Sequence, residues 1–126
     1  MSLALHYFIT GTDTDVGKTI ASAQLIRAIA NAGYSVTGMK PVASGCIASG
    51  DILINSDVSA HQAASNIDAP LALISPYRFL PPISPHLAAA QVKTEISLPH
   101  IINCERALQA LSDVVVVEGA GGWFAP

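Results

Sequence analysis

Apolar residues change their spacing twice within the first forty positions. The run LHYFIT at 5–10 is short, rich in aromatic and β-branched residues, and ends at a glycine, as strands do. From Gly17 the apolar spacing becomes three and four, which predicts a helix ending near Gly33. The run YSVTGMK at 34–40 then alternates as a second strand. We expect these two strands to pair in parallel. The expected buried face of the helix consists of Ala21, Leu25, Ala28, Ile29 and Ala32.

The middle of the chain carries a weaker pattern. Residues 43–56 are rich in Ala, Ser and Gly and predict a loop, which is followed by a helix from about Ser56 to Ser65. The segment ISPYRFLPPISP at 74–85 contains four prolines, which excludes a helix and favours an extended path. Ser84 is placed to cap a short helix that begins at Pro85.

The last third of the chain predicts one helix and one buried strand. Ser97 followed by Leu98-Pro99 opens the helix, and its apolar stripe is expected to consist of Ile101, Cys104, Leu108 and Leu111. The run DVVVVE at 113–118 is uninterrupted and β-branched, which is typical of a central strand in a parallel sheet covered on both faces. Such a strand normally leads into another crossover helix. We therefore expect residues 1–126 to be a single α/β domain that forms the N-terminal portion of a longer one.

The segment GTDTDVGKT at 11–19 has the composition of a phosphate-binding loop. It lies between a predicted strand and a predicted helix, so that backbone N–H groups and a helix N-terminus surround an anion. Lys18 is expected to reach the outer phosphates, and Thr19 to offer its hydroxyl to Mg²⁺. The loop is one residue longer than usual and contains Asp13 and Asp15, which is unexpected for a polyphosphate site. The alternative interpretation is a glycine-rich turn with an incidental lysine.

Two further charged residues are predicted at the same edge of the sheet. Glu118 ends the valine strand, where its burial would be costly unless a cation neutralises it. Lys40 ends the second predicted strand, and ligands of open α/β sheets bind at the carboxyl ends of the strands. Two lysines at one site suit a reaction that adds negative charge to that of ATP. The alternatives are a glutamate and a lysine that simply face solvent.

Composition narrows the class of protein further. Charged residues make up 12% of the chain, against an average of about 25%. Either part of the surface belongs to an interface, or the chain is simply an alanine-rich, well-packed domain. The net charge of -3, without any basic run, argues against nucleic-acid binding. No apolar stretch approaches the ~20 residues needed to span a bilayer. Cys46 and Cys104 match no metal spacing, which favours free thiols in the cytoplasm.

Five sequence blocks together give a specific resemblance. GTDTDVGKT at 11–19, KPVASG at 40–45, NSD at 55–57, SPH at 84–86 and VEGAGGWFAP at 117–126 occur in the order found in the dethiobiotin synthetase family. The chain resembles the N-terminal portion of those enzymes. The resemblance implies a P-loop nucleoside triphosphate hydrolase fold, a mostly parallel sheet with helices on both faces, truncated at the C-terminus, and a homodimer. It also implies ATP as co-substrate, Mg²⁺ as cofactor, and 7,8-diaminononanoate and CO2 as substrates.

The resemblance also implies a role for each matching residue. Lys18 and Lys40 would be catalytic, acting on the phosphates and on the carbamate that is phosphorylated. The metal would be surrounded by Thr19, Asp57 and Glu118. The nucleotide would be bound by Asp15, Val16, Gly17, Lys18, Thr19, Ile20 and Glu118. The diamine and its carbamate would contact Thr14, Asp15, Lys40, Ser44, Ser84 and Pro85. Asp15 departs from the glutamate that is commoner in the family.

Two other functions remain as alternatives. An ATP-dependent amide synthase of the cobyrinic acid type would share the long phosphate loop, but KPVASG and NSD argue against it. A partitioning ATPase would carry an additional lysine early in the loop, where this chain has Asp13.

Overall fold

The computed structural model describes the backbone of residues 5–9, 15–80 and 95–119, and the side chains of residues 17–80 and 95–119. Within these ranges the elements follow one another in the order β1 (Leu5–Ile9), α1 (Asp15–Asn31), β2 (Val36–Met39), β3 (Val42–Ala43), β4 (Ile47–Ser49), β5 (Ile52–Ile54), α2 (Ser56–Ala64), α3 (Leu71–Ile74), β6 (Tyr77–Arg78), α4 (Leu98–Leu111) and β7 (Val114–Glu118).

Strand β7 is the centre of the main sheet. The described strands lie in the order β1-β7-β2, and both pairings are parallel, with Leu5 and Val36 each opposite Val114. The prediction of a central parallel strand is therefore confirmed. The expected direct pairing of β1 with β2 is wrong, because β7 lies between them. An apolar run with two apolar faces is stabilised most where strands flank it on both sides and helices cover both faces.

Alternate residues of β7 face two separate cores. Val114 and Val116 pack with Ile26 of α1, whereas Val115 and Val117 pack with Leu108 of α4. Helices thus cover both faces, and every residue of β7 is buried. Because side chains alternate along a strand, Glu118 follows Val114 and Val116 onto the face covered by α1 and α2. This parity determines which helices can supply partners to the carboxylate.

The buried face of α1 differs from the predicted one. Ala21, Ala28 and Ala32 are exposed, while Leu25 and Ile29 are only partly buried. The face that is buried consists of Lys18, Thr19, Ser22, Ala23 and Ile26. Three of these residues are polar, so their burial leaves no apolar signal in the sequence. The buried Ser22 hydroxyl donates a hydrogen bond to the Lys18 carbonyl of its own helix at 2.9 Å.

The edge of β2 is closed by the chain that leaves α2. The Val36 N–H donates to the Asn66 side-chain oxygen at 2.8 Å, and the Asn66 N–H donates to the Val36 carbonyl at 3.2 Å. The Gly38 N–H donates to the Ser65 hydroxyl at 2.9 Å. These bonds replace a strand partner along β2 and fix the end of α2 against the sheet.

The segment predicted as a loop at 43–56 contains ordered strands. β4 and β5 form an antiparallel hairpin, with Ile47 opposite Ile54, and the chain turns at Gly50 in the left-handed conformation with φ of 62°. β3 pairs in parallel with β6, so the extended path predicted for 74–85 is confirmed at Tyr77–Arg78, whereas Ile74 is the last residue of α3. The helix predicted at Ser84 and Pro85 lies outside the described residues.

Two predictions for the remaining helices are confirmed, and one is wrong. α2 begins and ends close to the predicted bounds, and Ser97 caps α4 by accepting the His100 N–H at 3.3 Å. In α4, Cys104 and Leu108 are buried, but Leu111 is 50% exposed because the helix ends there and the chain turns away towards β7. Cys46 and Cys104 are free thiols, both buried. None of the helices in the described ranges has the length and apolar character needed to cross a bilayer.

Candidate functional site

The Glu118 carboxylate is the centre of a buried polar cluster at the carboxyl end of β7. Its Oε2 accepts hydrogen bonds from Thr19 Oγ1 at 3.1 Å and from Lys40 Nζ at 2.9 Å. Its Oε1 accepts from His61 Nε2 at 2.9 Å. The side chain is completely buried. Four elements thus meet at one carboxylate, since these partners come from α1, the end of β2, and α2.

Lys40 forms ion pairs with two carboxylates at once. In addition to Glu118, its Nζ donates to Asp57 Oδ2 at 2.8 Å, and the lysine side chain is 2% exposed. Lys40 follows the last residue of β2, and its N–H is held by the Ile74 carbonyl at 2.9 Å. Asp57 lies in the first turn of α2, where a carboxylate is also favoured by the helix dipole.

Burial and the neighbouring polar groups shift the pKa values of Glu118 and Lys40 in opposite directions, and the polar groups dominate. Burial would raise the pKa of Glu118, but the hydrogen bond from His61 and the charge of Lys40 lower that pKa from 4.5 to about 2. Burial would lower the pKa of Lys40, but its hydrogen bonds and charge interactions with Asp57 and Glu118 raise that pKa above its ordinary value. Both groups are therefore charged at neutral pH.

The phosphate-loop lysine lies beside this cluster. Lys18 is in the first turns of α1, and its Nζ donates to the carbonyl oxygen of Gly119 at 3.2 Å. Gly119 is the residue that follows Glu118. The next residue, Thr19, reaches Glu118 itself. The first turns of α1 and the end of β7 are thus joined by two neighbouring side chains. This arrangement places a lysine and a hydroxyl at the N-terminal end of a helix, where anions bind favourably.

Asn55 connects the KPVASG segment to Asp57. Its side-chain oxygen accepts the N–H groups of Asp57 and Val58, at 2.9 and 3.1 Å, and so caps α2. Its side-chain NH2 donates to the Ser44 carbonyl at 3.2 Å. Asn55 is therefore a structural residue of the site, which the NSD block contained but which had no predicted role.

The structure joins four predicted residues by hydrogen bonds, places a fifth beside them, and leaves the others at the margin or undescribed. Thr19, Lys40, Asp57 and Glu118 form the cluster, and Lys18 lies beside it through its bond to the Gly119 carbonyl. Ser44 is partly buried next to Asn55, whereas Gly17 and Ile20 are exposed on α1. The backbone of Asp15 and Val16 forms the start of α1, with their side chains outside the described set. Thr14, Ser84 and Pro85 lie outside the described residues.

His61 is the residue that the sequence did not indicate. It is completely buried, and it contacts a carboxylate 57 positions away in the chain. No metal-ligand spacing or motif includes it, so its role is visible only once α2 is packed on the sheet. One signal was available, because a histidine that lies between Val58 and Ala64 on the buried face of α2 needs a polar partner.

A family model described as an AAA domain matches residues 6–126. The chain belongs to this AAA domain family. The α/β P-loop fold predicted from the sequence is therefore confirmed.

Curated relatives give a narrower similarity. The chain is 48% identical to ATP-dependent dethiobiotin synthetase BioD 1 of Salmonella typhi, over 96% of the chain and 53% of that protein. It is 46% identical to the protein of the same name from Escherichia coli K12, over 98% of the chain and 55% of the relative. A Ralstonia nicotianae dethiobiotin synthetase is 42% identical over the whole chain and 55% of its own length. The predicted resemblance is confirmed, and the chain spans about half the length of these relatives.

The chemistry of the donor set fits a hard divalent cation. Two carboxylates and a hydroxyl, from Asp57, Glu118 and Thr19, are linked through hydrogen bonds around one positive group, the Lys40 ammonium. Within the described ranges, no three His, Cys, Asp or Glu side chains come close enough to form a metal site by themselves. Mg²⁺ usually takes only one or two protein carboxylates and completes its shell with water and phosphate oxygens, which agrees with this set.

Acid titration should reveal the contribution of Glu118 to stability. Its pKa is lower in the folded protein than in the unfolded one, so its contribution is present above about pH 4.5 and is lost as the pH falls towards 2. This difference in pKa between the folded and the unfolded protein corresponds to a free energy of about 3 kcal/mol. We expect Glu118→Gln to reduce the free energy of unfolding by that order at pH 7 and by much less near pH 3, measured by urea unfolding. Replacing the exposed Asp68 by asparagine is the control; an equal pH dependence in both variants would contradict the assignment.

Proposed function

We propose that the natural protein containing this chain is a dethiobiotin synthase, an ATP- and Mg²⁺-dependent enzyme that carboxylates 7,8-diaminononanoate and closes the ureido ring. The observation that carries the proposal is the charged cluster of Lys40, Asp57 and Glu118, with Lys18 of α1 beside it. The similarity to dethiobiotin synthetases across the whole chain supports the same conclusion. Neither alternative enzyme class gains support from a specific contact.

The proposed reaction needs charge compensation more than a protein nucleophile. One amine of the substrate combines with CO2 as a carbamate, ATP phosphorylates the carbamate, and the second amine displaces phosphate. Lys18 would bind the outer phosphates. Lys40 has three N–H donors, of which Asp57 and Glu118 take two, so one remains for the carbamate or the transferred phosphoryl group. A buried lysine aimed at developing negative charge accelerates such a transfer.

Thr19, Asp57 and Glu118 would hold Mg²⁺ together with the phosphate oxygens. Bound there, the cation would supply neutralisation of phosphate charge. The chain's own contribution is to orient both carboxylates, which the ion pairs of Lys40 support.

The remaining roles follow from the resemblance. We propose that Asp15, Val16, Gly17 and Ile20 bind nucleotide through the start of α1, and that Thr14, Asp15, Ser44, Ser84 and Pro85 contact the diamine or its carbamate. The Asp15 carboxylate would attract a substrate ammonium. The homodimer and the cytoplasmic location are part of the same proposal; the low charged fraction supports the first and the two free thiols support the second.

The proposal is tested by phosphate release from Mg-ATP in the natural protein, with bicarbonate and with or without 7,8-diaminononanoate. We expect release to depend on the diamine and to yield dethiobiotin in equal amount, measured by mass spectrometry. Diaminopentane, which has the amines but lacks the vicinal arrangement and the carboxylate, is the control substrate and should not stimulate release. Phosphate release that is indifferent to the diamine would refute the proposal.

A further inference from the structure

The buried Glu118 carboxylate is held from two directions by different groups. Oε2 faces the groups predicted to act on ligands, Thr19 and Lys40, while Oε1 faces only His61 among the described residues. The carboxylate accepts hydrogen bonds from Thr19 and Lys40 at Oε2 and lies 2.9 Å from His61 Nε2 at Oε1, so His61 Nε2 is the donor in this contact. This bond therefore fixes which oxygen faces the ligand side.

The His61 ring is itself held in a single position. It packs against β2 at Gly38, where an added Cβ would lie 2.2 Å from Nδ1. Ser65 links the His61 carbonyl, at 2.5 Å, to the Gly38 N–H, at 2.9 Å. These bonds hold the α2 backbone at His61 against the sheet, and Gly38 leaves no space for the ring to move closer. The position of Nε2 is thus set by β2 and the end of α2.

We propose that His61 is a positioning residue for Glu118: by donating to Oε1 it fixes the carboxylate plane, so that Oε2 is presented to Thr19, Lys40 and the magnesium-nucleotide. This inference rests on the proposed function only in assuming that Glu118 serves a magnesium-nucleotide. His61 touches neither nucleotide nor substrate in this role and acts through Glu118 alone.

Loss of the Nε2 donor has a defined physical consequence. Oε1 would be left buried without a partner, and the carboxylate could rotate to share Lys40 and Thr19 between both oxygens. Removing an outer hydrogen bond to a metal-binding carboxylate typically weakens metal affinity by about 10- to 100-fold. Binding of nucleotide without metal should change little, because the His61 ring hydrogen-bonds to Glu118 alone among the described residues.

The test compares His61→Leu with His61→Gln in the natural protein. Leucine approximates the volume but has no donor, whereas the glutamine Nε2 can reach the position of the imidazole Nε2. Titration calorimetry would measure Mg²⁺ binding to protein saturated with a non-hydrolysable ATP analogue, and analogue binding in EDTA. We expect about tenfold or greater loss of Mg²⁺ affinity in His61→Leu, within threefold of wild type in His61→Gln, and unchanged analogue affinity in EDTA for both.

Two results would overturn the proposal. One is unchanged Mg²⁺ affinity in His61→Leu, and the other is an equal loss in both variants, which would indicate a packing role. Nitrogen-15 NMR of the wild-type imidazole tests it without any variant. We expect the Nε2–H tautomer for His61, and finding the Nδ1–H tautomer would contradict the hydrogen bond on which the proposal depends.

These measurements separate the inference from the proposed function. Magnesium binding and the tautomer require no diamine, so they can succeed even if diamine-dependent phosphate release fails. Conversely, diamine-dependent release together with unchanged Mg²⁺ affinity in His61→Leu would leave the proposed function intact and remove His61 from it.

Discussion

Replacing Lys40 by methionine is expected to lower the free energy of unfolding by about 3 kcal/mol at pH 7. The ammonium is the cation shared by Glu118 and Asp57, and both lysine and glutamate are essentially buried. Methionine retains much of the volume, so the loss reports the uncompensated carboxylates rather than a cavity. Urea unfolding of the natural protein, monitored by circular dichroism, measures the change.

The loss of stability in the same variant should be smaller at acidic pH. Without Lys40 the pKa of Glu118 rises, so the carboxylate is protonated at a higher pH and the uncompensated charge disappears. The difference between wild type and Lys40→Met should therefore narrow between pH 7 and pH 4. Arg27→Met, which removes an exposed cation from α1, is the control and should cost less than about 0.5 kcal/mol at either pH. A constant difference across this pH range would contradict the electrostatic explanation.

The catalytic consequence of losing Lys40 should exceed the binding consequence. In the proposed site, Lys18 and the start of α1 would still hold the phosphates, so we expect the affinity for Mg-ATP to stay within about tenfold of wild type. Turnover should fall by about 10²- to 10³-fold, as for other groups that stabilise charge developed in the transition state. Lys40→Gln should behave similarly. Equal losses in turnover and nucleotide affinity would contradict the role assigned to Lys40.

The parts of the fold predicted from sequence are those in which pattern and packing agree. Four consecutive valines specified a strand buried on both faces, and β7 is central in the described sheet. The convergence of Lys18, Lys40 and Glu118 followed from one topological rule, that strand ends share an edge, without knowledge of any contact. Asp57 was predicted only through the resemblance, because its position depends on the Asn55 cap and on how α2 meets the sheet.

The predictions that failed concern residues whose environment is set by distant parts of the chain. The buried face of α1 includes Lys18, Thr19 and Ser22, which an apolar pattern cannot reveal. The β4–β5 hairpin was missed because its exposed isoleucines lie among Ala, Ser and Gly. His61 was missed because nothing near it in sequence specifies a partner on β7.

Replacing Gly38 by alanine should be the most damaging change that adds a single methyl group to the described sheet. The new Cβ would lie 2.2 Å from His61 Nδ1 and 2.7 Å from its Cβ and Cγ. Neither partner can yield easily, because Ser65 ties α2 to Gly38 and Glu118 holds the far side of the ring. We expect a loss of about 3 kcal/mol in the free energy of unfolding, at the upper end of overpacking effects. Urea unfolding in the absence of ligands measures it.

A double-mutant cycle distinguishes this clash from a general intolerance of β2. In the His61→Gly background both the ring and its Cβ are absent, so Gly38→Ala should cost less than about 1 kcal/mol, which gives a coupling energy of about 2 kcal/mol. Gly17→Ala is the matched control, since no atom of the described residues beyond its chain neighbours and its own helix backbone lies within 4 Å of its added Cβ. An equal cost of Gly38→Ala in both backgrounds would show that His61 does not set the requirement for glycine. A large coupling would instead mean that the missing side chain of Gly38 provides the space for the His61 ring. The strand β2, which positions Lys40 beside Glu118, would then also position the ring that orients Glu118.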